Sequence, residues 1–432
     1  MANKFTYHYR IFGCQMNVAD AHDLSARLDQ YGGQPVDTPA EADLVLVNTC
    51  MVRAKAEDKA LSYFGELKHL KGTGGGKMLV ALGCVVRRSR ERILKAHPHL
   101  DLLLDYSDPD GVLESLCEHF APLKGIVPTG EFTPLYDAGD CRQHFVTAIR
   151  GCHHGCSYCV VPLARGPQRD VPLERIVGEA KALEQAGAPD LTVLGQNILS
   201  YGTTSGDREP RFVEMMETLL KETKFPWVTF LTSLPTDLTD EICEKVISNP
   251  RVTPLLHLPL QAGSDRVLAS MKRGHTMEHY RRIISKAREQ RPDLYLTTDL
   301  LVGFPTETEE DFQETLKAAE EIGFDDAFMF AYSERPGTLA ARKFADKLPR
   351  TEKLRRLNEL IRLQREWGAK RNARYVGQEL DVIIERCENG DITARTAFNK
   401  PVRLSATKHH PGEYSRVRIT ESRVSSFQGE EV

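Results

Sequence analysis

Apolar positions along the chain follow two rhythms. Largely apolar, extended runs at residues 7–13, 42–49 and 77–83 alternate with stretches of helical periodicity at 20–31 and 54–70. Continuous apolar strands separated by amphipathic helices predict a parallel sheet covered on both faces. The alternation resumes further on, with strands predicted at 144–149, 190–194, 227–231, 255–258, 294–301 and 327–330, which reads as a (β/α) barrel. A helix is expected from about Thr351, with Leu354, Leu357, Ile361 and Trp367 as its apolar stripe. Short β-like runs then follow at 379–386, 391–398, 402–405 and 414–422. The predicted class is α/β: an N-terminal parallel-sheet domain (1–125), a linker (126–143), a central barrel domain (144–370) and a small C-terminal β domain (371–432).

Composition narrows the class without deciding the chemistry. Apolar residues at 41% and charged residues at 27% are those of a globular chain, not a disordered or fibrous one. The apolar run at 78–86 is far shorter than the ~20 residues that span a bilayer, so no membrane partner is expected. The first residues, MANKFTYHYR, lack an apolar core followed by a small-residue cleavage site; a cytoplasmic location is expected. A net charge of −4 does not mark a nucleic-acid binder, so any such role must rest on local patches. Two are visible: residues 341–374 carry 12 Lys and Arg against 4 Asp and Glu, and residues 393–423 carry 7 against 2.

The ten cysteines change the picture. In a reducing compartment they are not expected in disulfides, and clustered ones point to metal or redox chemistry. Cys152, Cys156 and Cys159 share one short loop after the 144–149 strand. Three soft thiolates suit an iron–sulfur cubane with one iron left open. His153 or His154 as a fourth ligand keeps a zinc site as a competing reading. Cys14, Cys50 and Cys84 each end one of the first three apolar runs, about 35 residues apart, or roughly one βαβ unit. Ligands bind beyond the carboxyl ends of such strands, so the fold would bring these thiols to one edge. The competing reading is three buried cysteines acting as small hydrophobes.

The spacing C-x₃-C-x-aromatic-C, with Tyr158 as the aromatic, resembles the signature of radical S-adenosylmethionine (SAM) enzymes. Two three-cysteine sets in this order resemble, more narrowly, the methylthiotransferases. The runs Gly13-Cys14-Gln15-Met16-Asn17, Asn48-Thr49-Cys50, Gly83-Cys84, Gly195-Gln196-Asn197, Thr232-Ser233-Leu234-Pro235, Gln261-Ala262-Gly263-Ser264-Asp265 and Gly303-Phe304-Pro305 carry that likeness along nearly the whole chain. It is closest in kind to the branch acting on N(6)-isopentenyl-adenosine at tRNA position 37. The branches acting on a ribosomal-protein aspartate or on threonylcarbamoyl-adenosine are alternatives, as is a non-enzymatic, metal-stabilised RNA-binding protein.

The resemblance implies two 4Fe-4S clusters and SAM as both methyl donor and radical source. Cys152, Cys156 and Cys159 would hold the cluster that cleaves SAM; Cys14, Cys50 and Cys84 would hold an auxiliary, sulfur-carrying one. It implies a partial barrel of six units, with Tyr158, Gly195, Gln196, Asn197, Ser233 and Gln261 around SAM, and a C-terminal RNA-binding β-barrel of the TRAM type. Implied partners are the tRNA anticodon loop, an electron donor such as flavodoxin or ferredoxin, and sulfur-delivery or cluster-assembly proteins. Within the C-terminal run, Arg395, Phe398, Lys400 and Arg403 combine charge with an aromatic and are candidates for RNA contact. Two departures stand out: Asp170-Val171 where the family reads Ser-Arg, and Leu234 where it commonly has histidine.

Overall fold

The computed structural model describes residues 4–51, 54–72, 76–126, 144–204, 209–388 and 391–432. Most of the expected linker (127–143), Cys141, and the centre of the glycine-rich stretch 72–76 lie outside the described residues. The chain divides into two compact units. The first comprises residues 1–135, 149–153 and 160–171; the second comprises 136–148, 154–159 and 172–432.

The first unit is built on five parallel strands, β1 (Phe5–Ile11), β2 (Gly33–Pro35), β3 (Leu44–Thr49), β4 (Met78–Gly83) and β5 (Leu102–Leu104), in the order β2-β1-β3-β4-β5. Every residue of β3 and β4 is buried, which is why these strands read as largely apolar runs. Alternate side chains serve opposite faces. Val45, Val47, Leu79 and Ala81 pack with Phe64, Leu67 and Ile93, whereas Leu44, Leu46, Val80 and Leu82 pack with Leu24, Leu28 and Leu116.

In the second unit, β6 (Phe145–Thr147) stands alone of the next three strands, because β7 (Ile149–Arg150) and β8 (Arg169–Asp170) form a short antiparallel ribbon in the first. The sheet continues with β9 (Asp190–Leu194), β10 (Trp227–Leu231), β11 (Leu255–His257), β12 (Tyr295–Val302) and β13 (Asp326–Ala331). The six parallel strands form two three-stranded sheets, β10-β9-β6 and β11-β12-β13, with a single bridge from Val228 to Val252 ahead of β11. This is the expected partial barrel.

The helix Arg350–Asn372 departs from the predicted pattern. Its buried positions are Lys353, Arg356, Leu360, Gln364, Gly368 and Asn372, while Leu354 is exposed. The burial is polar because the donors of these side chains find acceptors: Arg356 Nη1 lies 2.7 Å from Glu307, Gln364 donates to the Phe324 carbonyl, and Asn372 donates to that of Asp325.

The C-terminus closes as a five-stranded barrel from β14 (Glu379–Glu388), β15 (Asp391–Thr396), β16 (Pro401–Leu404), β17 (Tyr414–Ser422) and β18 (Phe427–Glu431). Its pairs are antiparallel except β16 with β18. It sits on the amino ends of the central strands, since Leu255 and Tyr295 share a core with Tyr375, Val382, Phe398 and Phe427. Among the described residues no helix is long and apolar enough to cross a membrane.

Candidate active site

Adjacent strand ends gather the N-terminal cysteines. Cys14 caps the helix Gln15–Gln30 just after β1, Cys50 follows β3, and Cys84 opens the helix Cys84–Ala96 directly after β4. Gly83 makes the approach feasible: its φ is +93°, and a β-carbon there would strike the Asn48 amide and the Thr49 carbonyl. Cys14 and Cys50 are hydrogen-bond neighbours. That bond, working against burial, and the nearby Arg165 bring the Cys14 thiol down to about 6. Burial raises the Cys84 thiol, and Arg165 opposes the rise. Among the described residues no three His, Cys, Asp or Glu side chains are close enough to hold a single metal ion. A donor set purely of sulfur, with a buried cation beside it, fits an anionic iron–sulfur cluster.

Arg165 ends the short helix Val161–Arg165, whose Val160 and Ala164 flank pack in the same core as Cys84, Val85 and Val86. Cys152 donates its N–H to the Gly166 carbonyl at 3.2 Å, anchoring its end of the loop in the first unit. Nearby, at the departure from the family pattern, Asp170 accepts from Gln168 at 2.9 Å, and Arg169 donates to the Ser107 carbonyl.

In the second unit the loop is held by its backbone and by Arg273. Ser157 donates to the Met271 carbonyl at 2.9 Å, and Cys159 N–H to that of Cys156 at 3.1 Å. Arg273, 5% exposed, places Nη1 at 3.4 Å from the Cys156 sulfur and Nη2 at 2.8 Å from the Pro259 carbonyl. Burial pushes the Tyr158 hydroxyl far above its usual range. Composition gave Arg273 no prominence, because its partners are remote in the chain.

The loops after the strands hold unsatisfied polar atoms. Gln196 Oε1, Ser233 Oγ and Arg273 Nε are buried and make no hydrogen bond within the protein, which leaves them able to meet a polar ligand. Gly195 joins β9 to Gln196. Gln261 adopts a φ of +75° while its backbone pairs with Asp299 and Leu301, a strained conformation held by both neighbours. Asn197 is different. Its amide nitrogen donates to Asp237 at 2.5 Å and its oxygen accepts from Leu234 N–H at 3.0 Å, so it ties loops together. His154 also faces Asp237, at 3.2 Å.

Inside the arc, alternation aims Thr297 and Asp299 inward while Thr298 points outward to the Leu258 carbonyl. His257 Nδ1 lies 2.9 Å from Thr297 Oγ1, and its ring is 6.0 Å from that of Phe328. Phe328, on the edge strand β13, is 52% exposed. Neither Asp299 nor Phe328 carried a recognisable sequence signal.

The C-terminal candidates require correction. Arg395 is buried, bonded to Asp190 at 3.1 Å and Glu385 at 2.7 Å. Phe398 stacks between Tyr295 at 4.5 Å and Tyr375 at 5.0 Å. Lys400 is buried and donates to the Val424 carbonyl at 3.0 Å. Arg395 and Phe398 fasten the small barrel to the central strands, Lys400 is used within the barrel, and none of the three faces solvent. Arg403 alone of the four is exposed.

Comparison with known proteins agrees with this architecture. Residues 6–105 match the model of Uncharacterized protein family UPF0004, 146–319 the Radical SAM superfamily, and 373–430 the TRAM domain. The radical SAM methyltransferase TsrM from Kitasatospora setae aligns with a TM-score of 0.57 at 12% identity, covering 78% of this chain and 75% of that one. The cobalamin-dependent enzyme OxsB aligns at 0.53 and 12%, covering 84% of this chain and 56% of its own. These likenesses establish fold alone. The tRNA-2-methylthio-N(6)-dimethylallyladenosine synthase of Thermus thermophilus is 40% identical over 98% of this chain and 91% of its own length. Its counterpart in Dictyoglomus thermophilum is 36% identical, over 98% of both. This chain therefore belongs to the family of tRNA-2-methylthio-N(6)-dimethylallyladenosine synthases.

Proposed function

We propose that this chain transfers a methylthio group to carbon 2 of N(6)-isopentenyl-adenosine at tRNA position 37. The reading rests above all on the two separate three-thiol sets, one at the strand ends of the N-terminal sheet and one in the C-x₃-C-x₂-C loop. An unpolarised aromatic C–H offers nothing to an ordinary general base, so the reaction needs radical chemistry.

Cys152, Cys156 and Cys159 hold a 4Fe-4S cluster in this reading, and Cys14, Cys50 and Cys84 a second. When bound, the first supplies the electron for reductive SAM cleavage and the second the sulfur that SAM methylates. The protein's own groups position and shield. Gln196, Ser233 and Gln261 orient SAM, and Tyr158 and Arg273 cover the loop around Cys156. Asn197 and Asp237 keep the β9 and β10 loops in register. Phe328 and the His257–Asp299 pair line the space where a flat base would lie. In this reading residues 1–125 serve the sulfur site, 144–370 serve SAM and 371–432 serve RNA. An electron donor such as flavodoxin or ferredoxin, proteins that rebuild the sulfur site, and a cytoplasmic setting complete the proposal.

The first test is on the loop. Cys156→Ala is expected to abolish 5′-deoxyadenosine formation from SAM under reducing, anaerobic conditions, read by chromatography, while about four irons with sulfide remain at the other site. Undiminished SAM cleavage would remove Cys156 from the assignment.

A further inference from the structure

We infer that Arg165 is a positioning residue of the sulfur-carrying site, a buried cation whose incompletely neutralised charge stabilises anionic sulfur bound there. The inference rests on the proposed second cluster. Its basis is a count of buried charges around the helix Gln15–Gln30. Arg165 Nη2 lies 3.1 Å from Asp20 Oδ2 and 3.5 Å from Asn17 Oδ1. That same Asn17 oxygen accepts from the Cys14 thiol at 3.4 Å. The other oxygen of Asp20 is taken by Arg150 at 2.6 Å, and Arg150 lies over the Tyr106 ring at 5.7 Å. Asp20 thus faces two buried guanidinium groups with one carboxylate. Asp23, one turn further, is engaged by Arg27 at 3.1 Å and by the Tyr106 hydroxyl at 3.1 Å. Arg27 also meets the exposed carboxylate of Asp110 at 2.7 Å, so it does not draw on Asp20.

Arg150 and Arg165 therefore share the single buried carboxylate of Asp20, which neutralises the two of them only in part. Burying such partly neutralised charge is costly unless an anion joins it. Cys14 and Cys84 are the thiols close enough to Arg165 to interact with its charge. A cubane held by three thiolates is anionic, and a hydrosulfide or methanethiolate on its open iron makes it more so. Arg165 is held by packing before any cluster binds, because Val160 and Ala164 lie in the core beside Cys84. Its charge is therefore preorganised. Arg150 and Arg165 also bracket the C-x₃-C-x₂-C loop in sequence, so the loop's two ends share Asp20 as their anchor.

The test uses the reconstituted full chain and two readouts at the auxiliary cluster: its midpoint potential by EPR-monitored titration, and its affinity for methanethiolate. Arg165→Gln should shift the potential negative and weaken methanethiolate by about tenfold, the effect of roughly one pK-unit of charge interaction. Asp20→Asn removes the opposing charge and should move both readouts the other way. Arg165→Lys keeps the charge and should stay near wild type. The potential of the SAM-cleaving cluster should not move in any of them. Unchanged readouts in Arg165→Gln and Asp20→Asn, or shifts of the same sign in both, overturn the inference. If Arg165→Gln assembles no auxiliary cluster, the sign in Asp20→Asn decides alone. A wild-type protein carrying about four irons in place of about eight would instead overturn the two-cluster reading itself.

Discussion

Cys50→Ala is expected to leave SAM cleavage intact and to abolish methylthio transfer. The residue sits 2% exposed beyond β3, and its neighbours on either side, β1 and β4, end in Cys14 and Cys84. Replacing a thiol by hydrogen there opens only a small cavity beyond a fully buried strand, so the unit should still fold. What changes is chemical. Two thiolates cannot hold a cubane as three do, and the iron content should fall from about eight to about four per chain, with sulfide in proportion. The loop cysteines are untouched, so 5′-deoxyadenosine should still form at a rate close to wild type. Nucleoside mass spectrometry should show no methylthio product from prenylated tRNA. Continued product formation by this variant would break the proposed division of labour, because a single cluster would then be doing both jobs.

The parts of this site that the sequence revealed share a physical trait: their signal is local. Cys14, Cys50 and Cys84 stand where an apolar run stops, and Cys152, Cys156 and Cys159 are separated by only a few residues. Gly195 and Gln196 were equally visible as polar residues after an apolar strand. Arg165 and Arg273 were not, because what makes them important is a partner 145 or 117 residues away. No periodicity links Arg165 to Asp20; only the packing of Ala164 beside Cys84 brings them together. The helix at 350–372 misled for a related reason. A stripe of leucines ordinarily marks the buried face, but here the covered groove offers carbonyls and the carboxylate of Glu307, so Lys353, Arg356, Gln364 and Asn372 turn inward. Alternation in the last strands likewise identified two faces without telling which would be covered.

That last ambiguity yields a sharp contrast between two arginines eight residues apart in sequence. Arg395→Ala should behave as a stability mutant. It takes one of two partners from Asp190, which keeps His144 at 3.0 Å, and removes the partner of Glu385, at a junction sealed by Phe398 on Tyr295 and by the Tyr414 hydroxyl on the Pro189 carbonyl. Losing a buried charge-assisted hydrogen bond of this kind costs about 1.5–3 kcal/mol. Thermal denaturation should register a clear drop in midpoint, while the folded fraction should bind tRNA with near-normal affinity. Arg403→Ala should do the reverse. The side chain is exposed on β16, so stability should change by no more than about 0.5 kcal/mol. If this face meets the phosphate backbone, losing one cation should weaken binding and flatten the salt dependence of log K by about one unit of slope. Calorimetry or scanning fluorimetry for the first variant and salt-titrated binding for the second separate the outcomes. Loss of tRNA affinity in Arg395→Ala at unchanged stability would place the RNA on the face that the structure covers, and would reverse the correction made from its burial.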